Sequence, residues 1–235
     1  MTLLGLIPAR GGSKGIPGKN LVTLGGRPLL DYTIAAALRA RSLGAVAVTT
    51  DDAAIAARAR KLGARVIHRP KALAGDQARM IAAVRHALAA LRAEGLRPDA
   101  VVLLQPTSPF RTAAHVDEAA ARWRRSGADS LVSVHPVSEH PCEALTRRRG
   151  RLVAARPYPK GGRGRQDFPP YWYVNGAIYI TRTTMLERRG LFWDPRAELY
   201  EMPRVNGADI DAPEHLAVAE ALLKASPALR RETAP

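Results

Sequence analysis

The apolar run Leu3-Leu4-Gly5-Leu6-Ile7-Pro8 empties directly into Ala9-Arg10-Gly11-Gly12-Ser13-Lys14-Gly15-Ile16-Pro17-Gly18-Lys19-Asn20, and this junction constrains the fold more than any other stretch. A short apolar run without alternation suits a strand buried on both faces. The glycines let the backbone turn tightly and approach a ligand, while Arg10, Lys14 and Lys19 gather three positive charges in one loop. That combination suits a polyphosphate. Two familiar phosphate loops do not fit it. Counting back from Gly18-Lys19 places Ser13 where a Walker A loop needs its first glycine, and Asn20 follows where that loop needs Ser or Thr. The dinucleotide fingerprint fails at the same position, because Ser13-Lys14-Gly15-Ile16-Pro17-Gly18 lacks its leading glycine.

Strand and helix patterns alternate from this point. A helix is predicted over 28–38 with Pro28 in its first turn, then a buried strand over 45–50, then a helix through Leu62 capped by Asp51-Asp52. A short strand over 63–67 and a punctuated loop over 68–76 lead to a helix that Asp76 caps and Gly95 ends. The clearest strand, 99–105, runs into a polar loop, a helix over 113–125 and a strand over 130–134. This order predicts a mostly parallel sheet with helices on both faces. Ligands of such sheets bind outside the carboxyl ends of the strands, so the loops after Pro8 and Leu104 belong to one site.

Between 136 and 170 the pattern breaks into Pro, Gly and Arg, with a hairpin expected around 149–153. A stretch this long is functional or part of an interface. A strand over 171–180 follows, then a short helix and a peripheral strand within 182–202, and a last helix to about Lys224 with Pro213 in its first turn. The expected organisation is an α/β domain from 1–135 and 171–226, an inserted arm from 136–170, and a frayed tail over 227–235.

The net charge of +15 raises the question of nucleic acid, but six Lys against thirty Arg points to compositional bias rather than a binding surface. A non-catalytic nucleic-acid binder would also leave the glycine-rich loop without a purpose. Arg147-Arg148-Arg149 is the one dense run and reads as a solvated turn. Cys142 is the only cysteine, which excludes an internal disulfide and a zinc site built on a Cys pair. There is no long apolar run, and Met1-Thr2 leads straight into the first strand, so a cytoplasmic protein without membrane association is expected.

The stretch from Ile7 to Asn20 resembles the signature loop of the acylneuraminate cytidylyltransferase (CMP-sialic acid synthetase) family. Gln105-Pro-Thr-Ser-Pro-Phe-Arg111, Arg165-Gln166, Asn175-Gly-Ala-Ile-Tyr-Ile and Asp209-Ile-Asp211 occur in the same order as in those synthetases, so the resemblance runs from Leu3 to about Leu223. It implies a Rossmann-like sheet of the nucleotide-diphospho-sugar transferase type, with the arm exchanged between the subunits of a homodimer. It also implies transfer of CMP from CTP to the anomeric hydroxyl of a nonulosonic acid, with Mg2+ as cofactor and pyrophosphate as product.

By the same resemblance Arg10, Gly11, Ser13, Lys14 and Lys19 contact the phosphates, with Arg10 and Lys19 as catalytic cations. Asn20, Arg69 and Ala78 face the rest of the nucleotide, and Gln105, Thr107, Ser108, Arg165, Tyr173 and Asn175 face the sugar acid. Asp209 and Asp211 hold the metal. If 208–211 is extended, both carboxylates point to one side, although an Asp-x-Asp pair alone is about as often a helix-capping turn. Whether Asp211 also deprotonates the acceptor stays open. His140 precedes Pro141 as in the family's structural turn.

Three departures bear on specificity. Gln77-Ala78-Arg79-Met80 stands where the family often has Thr-Ala-Ser-Ser, Tyr173 stands where sialic-acid enzymes can carry Arg, and the usual third acidic residue falls at His215, beside Glu214. Rival readings keep nucleotidyl transfer but use GTP as donor or a sugar 1-phosphate as acceptor.

Overall fold

The computed structural model describes residues 1–75, 78–157 and 164–233. The chain begins with β1 (Leu3–Pro8), a two-strand ladder of β2 (Thr23–Leu24) and β3 (Arg27–Pro28), α1 (Leu29–Arg39), β4 (Ala45–Thr50), α2 (Ala53–Lys61) and β5 (Arg65–His68). It continues through α3 (Met80–Ala93), β6 (Ala100–Leu103), α4 (Ala113–Ser126) and β7 (Ser130–Pro136). An arm carries the hairpin β8 (Leu145–Arg148) and β9 (Arg151–Ala154). The chain then closes with β10 (Trp172–Arg182), α5 (Thr183–Arg189), β11 (Glu198–Glu201), α6 (Pro213–Ala225) and α7 (Pro227–Glu232).

Among the described residues seven strands form one sheet in the order β11-β7-β10-β6-β1-β4-β5. The pairs β1/β4, β1/β6, β4/β5 and β7/β11 are parallel, and β10 runs antiparallel between β6 and β7. The chain leaves β1 toward β4 and β5 and returns on the other side with β6. Strand order therefore reverses at β1/β6, where a crevice opens at the carboxyl ends.

Every residue of β1 is buried, and its alternation feeds two cores. Leu3 and Ile7 pack with Leu30, Ile34, Ile55 and Trp123 from α1, α2 and α4, whereas Leu4 and Leu6 pack with Val84, Leu88 and Leu186 from α3 and α5. Each such side chain contributes about 1.5–3 kcal/mol by leaving water. That is why a strand with no polar residue is central. A third cluster joins Ile16 of the first loop to Ile210 and Leu223, tying the two ends of the chain together.

Several expected boundaries shift. Pro28 closes the small ladder and precedes α1 instead of lying in its first turn. Asp52 caps α2 as expected, accepting from Ile55 N at 2.9 Å. The residue before α3 is Arg79, without a side-chain cap, and Asp76 lies outside the described residues. The tail is folded through Thr233 rather than frayed from Pro227: α7 buries Leu229, and Arg27 donates to Thr233 O at 2.9 Å. No helix of the described residues is long and apolar enough to cross a membrane.

Candidate active site

The loop after β1 is fixed by groups that sequence spacing does not connect. Gly11 N donates to Asp51 Oδ1 at 3.1 Å, and Asn20 Nδ2 donates to Arg10 O at 2.8 Å. Gly15 presses against the chain at Asp211 so closely that a Cβ would stand 2.2 Å from the Asp211 carbonyl oxygen. Only glycine lets the loop and the 209–211 segment meet.

Between them lies a cleft lined by Arg10, Gly12, Ser13, Lys19, Asn20 and Arg69 on one side and by Gln105, Thr107, Asp209 and Asp211 on the other. The Arg69 side chain is held at the cleft floor with its residue only 6% exposed. Its Nη2 is 3.6 Å from Asp51 Oδ1, beyond hydrogen-bond reach, and its Nε and Nη2 have no hydrogen-bond partner among the described residues. Burial pushes the guanidinium below its ordinary value, Asp51 opposes this, and Arg10 adds to it. A buried cation with unmade hydrogen bonds beside a second cation is a site that an anionic ligand completes.

The opposite wall carries the two carboxylates. Ile210 is buried and its N donates to Thr107 O at 2.8 Å, which anchors the segment and leaves Asp209 and Asp211 facing the cleft. Lys19 Nζ lies 2.7 Å from Asp211 Oδ1 and holds that carboxyl below the usual range. Asp209 is open to solvent through the cleft but enclosed by protein on its other sides. That enclosure, with Asp211 alongside, pushes its carboxyl up to about 6 against the hydroxyl of Thr107 and the charge of Lys19.

A second cleft adjoins the first, and Gln105, Asp209 and Asp211 line both. Its geometry depends on a bulge in β10, where the register shifts between Val174 and Tyr179 and Gly176 takes φ +75°. The bulge turns Asn175 inward. This residue is 3% exposed, its Oδ1 accepts from Ser133 Oγ at 2.6 Å and Ala177 N at 3.1 Å, and its Nδ2 has no partner among the described residues. Beneath the bulge Arg111 is buried without a carboxylate. It donates to Ala177 O at 2.7 Å, Thr33 Oγ1 at 2.7 Å and Gln105 O at 3.2 Å, and burial pushes it down to about 9. Arg111 bolts the Gln105 loop to β10 and α1.

Of the residues singled out from sequence, Arg10, Ser13, Lys19, Asn20, Arg69, Gln105, Thr107, Asp209 and Asp211 line the first cleft, and Tyr173 and Asn175 join the second. Five lie outside both. Gly11 anchors the loop to Asp51, Lys14 is exposed, and Ala78 hydrogen-bonds back to Gly75 O at 3.0 Å. Ser108 is fully buried beneath the loop, and Arg165, 76% exposed on its side chain, pairs with Glu143 at 2.9 Å on the arm. His140 is structural as expected: it stacks on Phe168 at 4.4 Å and reaches Pro169 O at 2.9 Å, closing the base of the arm.

A family model described as cytidylyltransferase matches residues 4–161. The chain belongs to the cytidylyltransferase family. It is 43% identical over 220 residues to an N-acylneuraminate cytidylyltransferase of Escherichia coli, covering 89% of this chain and 49% of that protein. It is 35% identical over 234 residues to a CMP-N,N'-diacetyllegionaminic acid synthase of Legionella pneumophila, covering 95% of this chain and 97% of that one. The chain thus spans about half the length of the N-acylneuraminate relatives it matches. A solved CMP:2-keto-3-deoxy-manno-octonic acid synthetase complexed with CTP shares the fold, with TM-score 0.72, 19% identity, and 96% of this chain and 99% of that one covered.

Each departure noted in the sequence reaches a cleft at one residue. Met80 lines the first, whereas Tyr173 and His215 line the second. His215 Nδ1 accepts from Asp211 N at 3.2 Å, so this imidazole steadies the backbone of the carboxylate segment. Gly15 and Arg111 act through close approach and burial, which no local sequence pattern encodes.

Proposed function

We propose that the protein transfers CMP from CTP to the anomeric hydroxyl of a nonulosonic acid and releases pyrophosphate. The observation that carries this reading is the meeting of the two clefts at Gln105, Asp209 and Asp211. One cleft is cationic and suits a triphosphate; the other suits a polar acceptor. The α-phosphorus of the nucleotide and the attacking hydroxyl come together where the clefts join. In this reading Arg10, Lys19 and Ser13, with the N–H groups of the loop, neutralise the departing pyrophosphate, and Lys14 at the rim adds charge. Arg69 and Asn20 hold the nucleotide further in. Gln105 and the β10 bulge that carries Asn175 face the acceptor.

Asp209 and Asp211 fit a hard divalent cation. Two oxygen donors share one opening, and Lys19 Nζ pairs with Asp211 at 2.7 Å. Among the described residues no group of three or more His, Cys, Asp or Glu could hold a metal, so these two carboxylates would be supplemented by substrate oxygens and water, the usual habit of Mg2+. Bound there, Mg2+ would supply charge to the α-phosphate and make the acceptor hydroxyl more acidic. Because Lys19 keeps Asp211 ionised, this carboxylate suits a ligand better than a proton acceptor.

The arm supports a homodimer. Leu145 and Leu152 are 62% and 64% exposed on its hairpin, and Arg165 lines neither cleft of its own chain. An arm crossing to a second subunit would cover those apolar residues and bring Arg165 to the acceptor of that subunit.

The test is pyrophosphate release with each nucleoside triphosphate against sialic, legionaminic and pseudaminic acids and a panel of sugar 1-phosphates. Release with CTP and a keto acid is expected. Activity with GTP or with a sugar 1-phosphate, and none with any keto acid, would reject the reading.

A pH effect follows from Asp209. A carboxyl whose value is raised on folding adds stability below the unfolded carboxylate range, and that stability is lost as pH rises through about 6. In chelator-treated protein Asp209→Asn should therefore gain thermal stability relative to the parent between pH 5 and about 7.5. A constant difference across that range would show that Asp209 is not strained.

A further inference from the structure

The second cleft has a direction. At its inner end Gly176 lies beside Gln105, since a Cβ there would stand 3.4 Å from Gln105 Oε1. Next, Asn175 Nδ2 faces Gly207, where a Cβ would come within 2.5 Å. Two strand residues further out, about 6.6 Å along β10, Tyr173 pairs across the sheet with His135, their rings 5.6 Å apart. Arg204 closes this outer end and its charge is felt by His135. The cleft therefore runs from the carboxylates and Gln105 to a cationic, aromatic end.

The remaining argument rests on the proposed function. A 2-keto acid bears its carboxylate on the anomeric carbon, so an acceptor whose hydroxyl faces Asp209 and Asp211 has its carboxylate beside Gln105 and Asn175. The outer end meets what is most remote from that carbon. Three features describe what fits there. Arg204 is exposed, forms no hydrogen bond or ion pair among the described residues, and its charge acts on both His135 and Glu139, while His135 Nδ1 is buried without a partner. Burial and the neighbouring Arg204 hold His135 below the ordinary imidazole range. The wall between the two ends is apolar, formed by Val205, Val218 and Leu222.

Donors set over an apolar wall match a carbonyl oxygen that carries a small alkyl group. We propose that Arg204, together with His135, binds the acyl carbonyl of an acylamido substituent at the acceptor end remote from the anomeric carbon, and so selects among nonulosonic acids. A sugar with a hydroxyl in place of the acylamido group forgoes the carbonyl acceptor and leaves the apolar wall uncovered.

The experiment compares N-acetylneuraminic acid with 2-keto-3-deoxynononic acid, which carries a hydroxyl in place of the acetamido group, for the parent chain and for Arg204→Met. The ratio of kcat/KM for the acylated over the hydroxyl acceptor should fall about tenfold in the variant, the order lost with one charge-assisted hydrogen bond, while KM for CTP keeps its value. The same ratio in both proteins, or an equal loss with both acceptors, overturns the assignment. Transfer by the parent chain to neither acid, nor to diacetyllegionaminic acid, overturns the proposed function and this assignment with it.

Discussion

Asp211→Asn is expected to lower pyrophosphate release about a thousandfold, the scale on which a group that stabilises charge at the reacting centre acts. The geometry makes the effect specific. Asp211 lines both clefts, and Lys19 Nζ at 2.7 Å holds it ionised. Asparagine keeps the shape but removes the charge, which weakens metal binding and frees Lys19 from its partner. The carboxylate is well exposed, so its ion pair contributes little to folding and the thermal midpoint should stay close to that of the parent. Rates should be followed across a Mg2+ titration. Near-parental turnover at limiting Mg2+ would remove Asp211 from the metal site.

Gly15→Ala is the second large effect, and it comes from a residue with no chemistry of its own. Its new methyl would sit 2.2 Å from the carbonyl oxygen of Asp211. Backbone cannot yield there as a flexible side chain can, so the loop carrying Arg10, Ser13 and Lys19 must move away from the carboxylates. A misplacement of about 1 Å between reacting groups costs on the order of a hundredfold in rate. The variant should therefore lose about that much kcat, measured with CTP and the preferred acid at saturation. Because Ile16 packs in the cluster with Ile210 and Leu223, a fall in thermal midpoint should accompany it. Unchanged kcat would mean that the loop and the 209–211 segment can part without harm.

The two predictions differ in how visible their residues are in the sequence. Asp209-Ile210-Asp211 announces itself as a spaced acidic pair, and the loop from Arg10 to Lys19 as a dense mix of glycine and charge. Gly15 is one of four glycines in that loop, and nothing local tells it from Gly12, which has open space around it. The distinction arises because the end of the chain folds back onto its beginning. The tail shows the same limit: a short polar segment reads as frayed until Leu229 finds the pocket between α6 and the small ladder.

Ser108 and Arg165 illustrate opposite outcomes of motif-based placement. Ser108 is adjacent in sequence to Thr107, yet the turn sends one into the cleft and the other into the core. Arg165 lines neither cleft of its own chain and pairs with Glu143 on the arm.

The sequence by itself determined the class of sheet, the order of its elements and the family. These depend on local apolar periodicity and on motifs whose spacing survives in one dimension. Tertiary structure alone decided that β10 is reversed and bulged, that Arg69 is a buried cation with unmade hydrogen bonds, and that two clefts share Asp209 and Asp211. Burial and close approach are properties of pairs of residues far apart in the chain. They come into being only when the chain folds back and brings the loop after β1 against the segment before α6.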